Sequence, residues 1–195
     1  MILRCAAYVG DLARVAALVA AVVCVVNGQW DDVARFAVVL SVLLASRLAR
    51  MPRVFDAALG VTLTVATVAM AASWYDTVPW VDIVIHGTTT GAVAAVATVA
   101  MGRARLLPLA QCGTPAVVVL VVAVGFSLGV LWEFWEWLAT HVFGMIMVVG
   151  YTDTIVDLAM DGASSLLAGV ALAAWLGNGR SMYRTEPPVR SRSNG

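Results

Sequence analysis

The chain has 195 residues, twelve basic and twelve acidic, so its formal net charge is zero; 62% of it is hydrophobic and only 12% charged. Ordinary globular domains carry roughly 25% charged residues, and a soluble domain of this length cannot hide so much apolar surface in one core. With a mean hydropathy of +0.91, these values exclude both a basic nucleic-acid-binding surface and a freely soluble fold, and leave lipid as the solvent for most of the chain.

Six apolar runs follow in order, at 8–26, 33–49, 57–74, 81–101, 115–138 and 155–176. Each approaches or exceeds the roughly 17 residues that a helix needs to cross a bilayer. The expected fold is therefore all-α: a polytopic membrane bundle of six transmembrane helices in a single domain, 1–176. A polar, disordered cytoplasmic tail is expected at 177–195, with Pro187-Pro188 in it. The first run resembles a signal peptide, but Val25-Val26-Asn27 is not a small-x-small cleavage site and Val23-Cys24 is a poor lipobox, so a retained helix is expected. The second run is the weakest, because Arg35 and Arg47 trim it; arginines near helix ends can snorkel to the headgroups. Pro52, Pro79, Pro108 and Pro115 fall between runs or at their starts, where a proline costs no helical hydrogen bond. Cys5, Cys24 and Cys112 lack CxxC spacing and read as inert thiols.

All twelve basic residues are arginines, and their placement sets the expected orientation. Arg4 and Arg14 flank the start of the first run, and Arg47, Arg50 and Arg53 lie between the second and third. Arg103 and Arg105 lie between the fourth and fifth, and Arg180, Arg184, Arg190 and Arg192 follow the sixth. The other three connections hold only Arg35. Six spans with both termini in the cytoplasm satisfy the positive-inside rule.

The carboxylates are sorted the other way. Asp31, Asp32 and Asp76 belong to outer loops, as does Asp82 at the start of the fourth run; only Asp11, Asp56 and Glu186 are cytoplasmic. Acids within a span need a stronger reason than acids in a loop, since a charge in hydrocarbon costs at least about 2.5–3.5 kcal/mol. Asp82, His86 and Thr90 are spaced i, i+4, i+8 and share a face of the fourth helix. Gly125, Gly129, Glu133 and Glu136 share a face of the fifth, and the glycines turn that face into the bundle. Asp153, Asp157 and Asp161 share a face of the sixth, continued by Ser164 and Ser165. At about 1.5 Å rise per residue, Asp82, Glu136 and Asp153 form a shallow layer above His86, Glu133, Asp157 and Asp161. A bound cation, shared protons or an open aqueous cavity could each hold such a set. Oxygen ligands with one imidazole suit Mg²⁺, Mn²⁺, Zn²⁺ or Fe²⁺, and no spacing selects among them. The blander readings are an interfacial Glu136, an N-cap at Asp153-Thr154, a loop position for His141, and an aromatic belt of Trp74, Trp80, Trp132, Trp135 and Trp137.

Three ordered blocks carry a resemblance. Asp82-Ile83-Val84-Ile85-His86, followed by Gly91, is similar to a D-x-x-x-H-x-x-x-G segment. Leu131-Trp132-Glu133-Phe134-Trp135-Glu136-Trp137 is similar to an E-x-x-E-W pair. Tyr151-Thr152-Asp153-Thr154-Ile155-Val156-Asp157, with Gly162-Ala163 beyond it, is similar to a D-T-x-x-D segment leading into an Ala/Gly-rich helix. Together they resemble the YjdF-like bacterial inner-membrane proteins over 82–169, with a fainter similarity to VanZ-like proteins. Gly91 stands five residues after His86 and Asp161 is an added acid, so the match is imperfect. The resemblance implies a six-helix fold and a shared polar site, and no substrate.

Three functions compete on this reading, so whether the chain is an enzyme stays open. In a metal-dependent hydrolase of a lipid-linked or phosphate-bearing substrate, Asp82, His86, Glu133, Asp153 and Asp157 supply the metal ligands, and Glu136 or Asp161 the general base. Against it stand the lack of an outer Lys/Arg cluster, of the acid-phosphatase signature of lipid phosphatases, and of an activated Ser or Cys. A cation or proton carrier would use the acid ladder of the sixth helix and, with so few helices, would need a homo-oligomer. A non-enzymatic protein would use the cluster for a structural ion or a partner. Membrane lipid is the expected surrounding in each case, and nucleic acid in none.

Overall fold

A computed structural model describes residues 2–78, 80–145, 147 and 149–182. Pro79 and the tail from 183 onward, with Arg184, Glu186, Pro187, Pro188, Arg190 and Arg192, lie outside the described residues. Among the described residues seven α-helices follow in order: α1 Ile2–Val26, α2 Trp30–Leu48, α3 Arg53–Ala71, α4 Trp74–Thr77, α5 Val81–Arg103, α6 Thr114–His141 and α7 Tyr151–Gly177, with a 3-10 turn at Leu109–Gln111 before α6. The described residues contain no strand. Five helices are long and apolar enough to cross a membrane, namely Leu3–Val26 within α1, and α3, α5, α6 and α7. The fifth and sixth runs are longer as helices than their apolar stretches, since polar residues extend both ends.

The helices pack as two groups of three. In the first, α1 and α3 run parallel, with α2 returning between them; a Cβ on Gly60 would touch Ala13 at 3.3 Å, and Thr64 donates to the Ala13 carbonyl at 3.3 Å. In the second, α7 lies along both α5 and α6, and α3 joins the groups by packing on α5. Alternation of direction gathers Arg47, Arg50, Arg53, Arg103 and Arg105 at one end, here the basic end, and Asp82, Glu136 and Asp153 at the other, the acidic end.

Close helix approach is set by missing side chains. A Cβ on Gly91 would stand 2.7 Å from the carbonyl carbon of Ser164, while the Gly91 N–H donates to Ser164 Oγ at 3.1 Å. Towards the basic end the interior turns apolar: Ala94, Ala95, Val99, Val117, Val121 and Leu172 are buried together.

Arg14 does not sit at a helix end as the arginine pattern suggests. Helix α1 starts a full three turns earlier, and the guanidinium turns into the first group. It bonds the Leu43 carbonyl twice, at 3.2 and 2.9 Å, and Asp56 Oδ1 at 2.6 Å, where Ser46 Oγ also donates at 2.7 Å. The third run, 57–74, also proves divided. Helix α3 stops at Ala71, Ser73 takes a left-handed φ of 54°, and the short α4 carries the chain across the acidic end.

Candidate functional site

Three faces predicted from spacing meet at the acidic end. From α5, His86 is buried and Asp82 half-buried; from α7, Asp157 is 1% and Asp161 0% exposed; from α6, Glu136 is buried. The Nδ1 atom of His86 lies 3.0 Å from Asp161 Oδ1, and Nε2 lies 3.8 Å from Asp82 Oδ1. Thr90, one turn along α5, donates its hydroxyl to the same Asp161 oxygen at 2.5 Å. One donor atom each from Asp82, His86 and Asp157 falls within 4.8 Å of the others. At metal–ligand bonds of about 2.0–2.2 Å, adjacent ligand atoms stand about 3–3.5 Å apart, so the triangle would have to draw in by up to about 1.5 Å around an ion.

Four carboxylate oxygens are buried without a hydrogen-bond partner among the described residues: Glu133 Oε1, Asp153 Oδ2, Asp157 Oδ2 and Asp161 Oδ2. A buried acceptor left unpaired costs on the order of 1–3 kcal/mol, and native folds hold few of them. Here four, from α6 and α7, are gathered at one end of the bundle. Glu133 and Asp153 lie outside the tight triangle, yet both are in electrostatic reach of Asp157. Glu136 stands in the same relation to Asp82, His86 and Glu133. The two layers expected from helical rise therefore form one continuous cluster. A divalent cation fits this donor set of oxygens and one imidazole, and it would satisfy acceptors that the chain's own donors do not.

Tyr75 was not singled out by the sequence. It sits on α4, half-buried, against the cluster formed by Ala69, Val81 and Ile85. Burial, then the Asp82, Glu136 and Asp157 carboxylates, push its phenol above the usual tyrosine range, so it stays protonated. Flanked by Trp74 and Asp76, it reads in sequence as one more belt aromatic. The five tryptophans of that belt are indeed all at least 40% exposed. Asp153 is not an N-cap: Gly150 holds that position, and Asp153 lies in the first turn of α7, where a negative charge meets the positive end of the helix dipole. His141 is not in a loop but closes α6, bonding the Trp137 carbonyl at 2.9 Å and stacking on its ring at 4.8 Å.

The fold and site together define a class: an all-helical membrane bundle with a buried carboxylate and histidine cluster at one end. The chain belongs to the DUF2238 family, described as predicted membrane proteins, whose profile matches residues 10–178. That is the family of the YjdF-like proteins, and the match runs from α1 to the end of α7, well beyond the three motif blocks; it does not extend to the VanZ-like likeness. No curated protein and no solved structure matches the chain.

Proposed function

We propose that this is a six-span bacterial inner-membrane protein, with both termini cytoplasmic, that binds a divalent cation at its outer end and hydrolyses a lipid-linked or phosphate-bearing substrate there. The observation that carries the reading is the triangle of Asp82, His86 and Asp157, with Asp157 fully buried and one of its oxygens unpartnered.

The count of six rests on α2. Its nineteen residues hold Asp31, Asp32, Arg35 and Arg47, which is why its composition alone does not mark it as a span. Yet α1 and α3 run parallel, and the connections 27–29 and 49–52 are far too short to bring the chain back across a core of about 30 Å. Only α2 can do so, and nineteen residues rise about 28 Å. Its outer charges are partly paired, Arg35 with Asp32 at 2.5 Å. Arginines concentrated at the basic end support a cytoplasmic location for that end under the positive-inside rule.

Depth supports a substrate at the membrane surface. Glu133 and Glu136 occupy the same two turns of α6 as Trp132, Trp135 and Trp137; Glu136 is buried and the three tryptophans at least 40% exposed, with Trp132 hydrogen-bonded to Glu136. Tryptophan belts mark the headgroup level, where lipid phosphates lie. A divalent cation bound there would polarise a phosphoryl or ester oxygen and lower the pKa of a bound water. On this reading Glu136 takes the proton of that water, Glu133 and Asp153 complete the ligand set, and the Tyr75 phenol donates a hydrogen bond to the substrate. The outer-end arginine, Arg35, is paired with Asp32, which leaves charge neutralisation at the site to the cation. The carrier reading is weaker because the apolar packing around Ala95, Val99 and Val121 closes the route towards the basic end.

Full-length protein in mild detergent should retain near-stoichiometric divalent metal by plasma mass spectrometry, and Asp157→Ala should lose it while keeping its helical circular dichroism. Glu136→Gln should keep the metal but release no phosphate from phosphomonoester-bearing lipid in phosphatidylglycerol vesicles. Metal-free wild type sinks the metal reading. Metal-loaded protein that turns over no phosphate- or ester-bearing lipid sinks the hydrolase.

A further inference from the structure

Asp161 is the deepest acid of the cluster, and its surroundings differ from those of the others. Its Oδ1 meets two groups of α5: His86 Nδ1 lies 3.0 Å away, and the Thr90 hydroxyl donates to it at 2.5 Å. Ser164, on the next turn of α7, donates to the Asp161 carbonyl at 3.1 Å and accepts from the Gly91 N–H, which locks α7 against α5 at this height. On the third side α6 presents Gly129, where any Cβ would collide with Asp161 Oδ2 and would stand 3.2 Å from Leu158 Cδ2. The carboxylate is thus seated in a cradle that α6 leaves open by lacking a side chain, and it is 0% exposed. Substrate at the outer surface has no approach to it.

Asp161 Oδ1 already accepts from the Thr90 hydroxyl, so as an acceptor it calls for an N–H on the facing His86 Nδ1. The opposite ring nitrogen, Nε2, then carries the lone pair in the neutral ring and lies 3.8 Å from Asp82 Oδ1, a carboxylate grouped with His86 and Asp157. Metal-bound histidines are commonly held in this way by a carboxylate on the far nitrogen.

We propose that Asp161 is a positioning residue, which fixes the His86 ring in its Nδ1–H form and aims Nε2 at the space between Asp82 and Asp157. This replaces the general-base role that its spacing suggested, and it rests on the cation-site reading above. Thr90 and Gly129 share the task, one by orienting the carboxylate and the other by making room for it.

The test has two readouts. Nitrogen-15 histidine spectra of the metal-free protein, in a His141→Gln background that leaves a single histidine and at a pH high enough to keep the ring neutral, report which His86 nitrogen carries the proton. The Nδ1–H pattern is expected, and an Nε2–H pattern overturns the inference whether or not the protein binds metal. Zn²⁺ titration of folded Asp161→Asn should then show affinity reduced about 10–100-fold from wild type, the range for losing such an outer partner. Equal affinity in the two proteins also overturns it, whereas wild type that binds no Zn²⁺ overturns the cation site and leaves the tautomer result standing. Should Asp161→Asn fail to fold, Gly129→Ala displaces the same carboxylate and is expected to weaken Zn²⁺ in the same direction.

Discussion

Gly91→Ala should cost at or above the upper end of the roughly 1–3 kcal/mol usual for overpacking, read as a lowered melting midpoint in mild detergent. The added methyl carbon would stand 2.7 Å from the Ser164 carbonyl carbon and 3.1 Å from its Cβ. A carbonyl carbon has no rotamer to escape into, so α5 and α7 must separate. Separation would break the bond from the Gly91 N–H to Ser164 Oγ and lengthen the His86–Asp161 contact one turn away. Gly87→Ala is the control, since the obstacle there is the Met160 methyl carbon at 2.6 Å, the far end of a flexible side chain. It should cost under about 1 kcal/mol, in keeping with a core that repacks around methionine. Equal losses at the two glycines would show that α5 and α7 do not approach as closely as Gly91 requires.

Much of the acidic cluster was legible in the sequence because two constraints act together. A helix repeats its face every three to four residues, and lipid forbids that face from pointing outward when it carries charge. Asp82, His86 and Thr90, or Asp153, Asp157 and Asp161, therefore had one direction open to them. Gly125 and Gly129 marked where α6 would come close, and Ser165 and Asp161 fill those two hollows. Tyr75 was not legible, because α4 is a single turn with no period to read and its neighbours look like interface aromatics. The pairing of Arg14 with Asp56 was hidden for a different reason. The residues are 42 positions apart, and each has an adequate local excuse, Arg14 as a snorkelling cation near the first helix start and Asp56 as an acid in the first turn of α3. Contacts between helices distant in sequence leave no trace in periodicity. The weak composition of α2 has the same origin: Arg47 reaches Asp11 of α1 at 3.0 Å, so a charge that looks costly in one helix is partnered by another.

That hidden pair carries the other large effect. Asp56→Ala should destabilise the protein by about 3–5 kcal/mol, the usual consequence of removing one member of a buried ion pair. Asp56 is 2% exposed and Arg14 17% in their side chains, so the guanidinium left behind cannot reach bulk water without unwinding the start of the bundle. Its bonds to the Leu43 and Gly10 carbonyls would remain, but they supply no countercharge. Asp11 lies 3.8 Å away and is nearly half exposed, a geometry in which a pair contributes only about 0–1 kcal/mol. Ser46 would lose its acceptor as well. The double variant Arg14→Leu/Asp56→Leu should recover most of the loss, because replacing both charges by apolar groups removes the desolvation penalty along with the attraction. Thermal melts of the three proteins in one detergent decide the matter: a loss below about 1 kcal/mol for Asp56→Ala would mean that water reaches Arg14. A double variant no better than the single would mean that the hydrogen bonds to α2, and not the charge, hold α1, α2 and α3 together at the basic end.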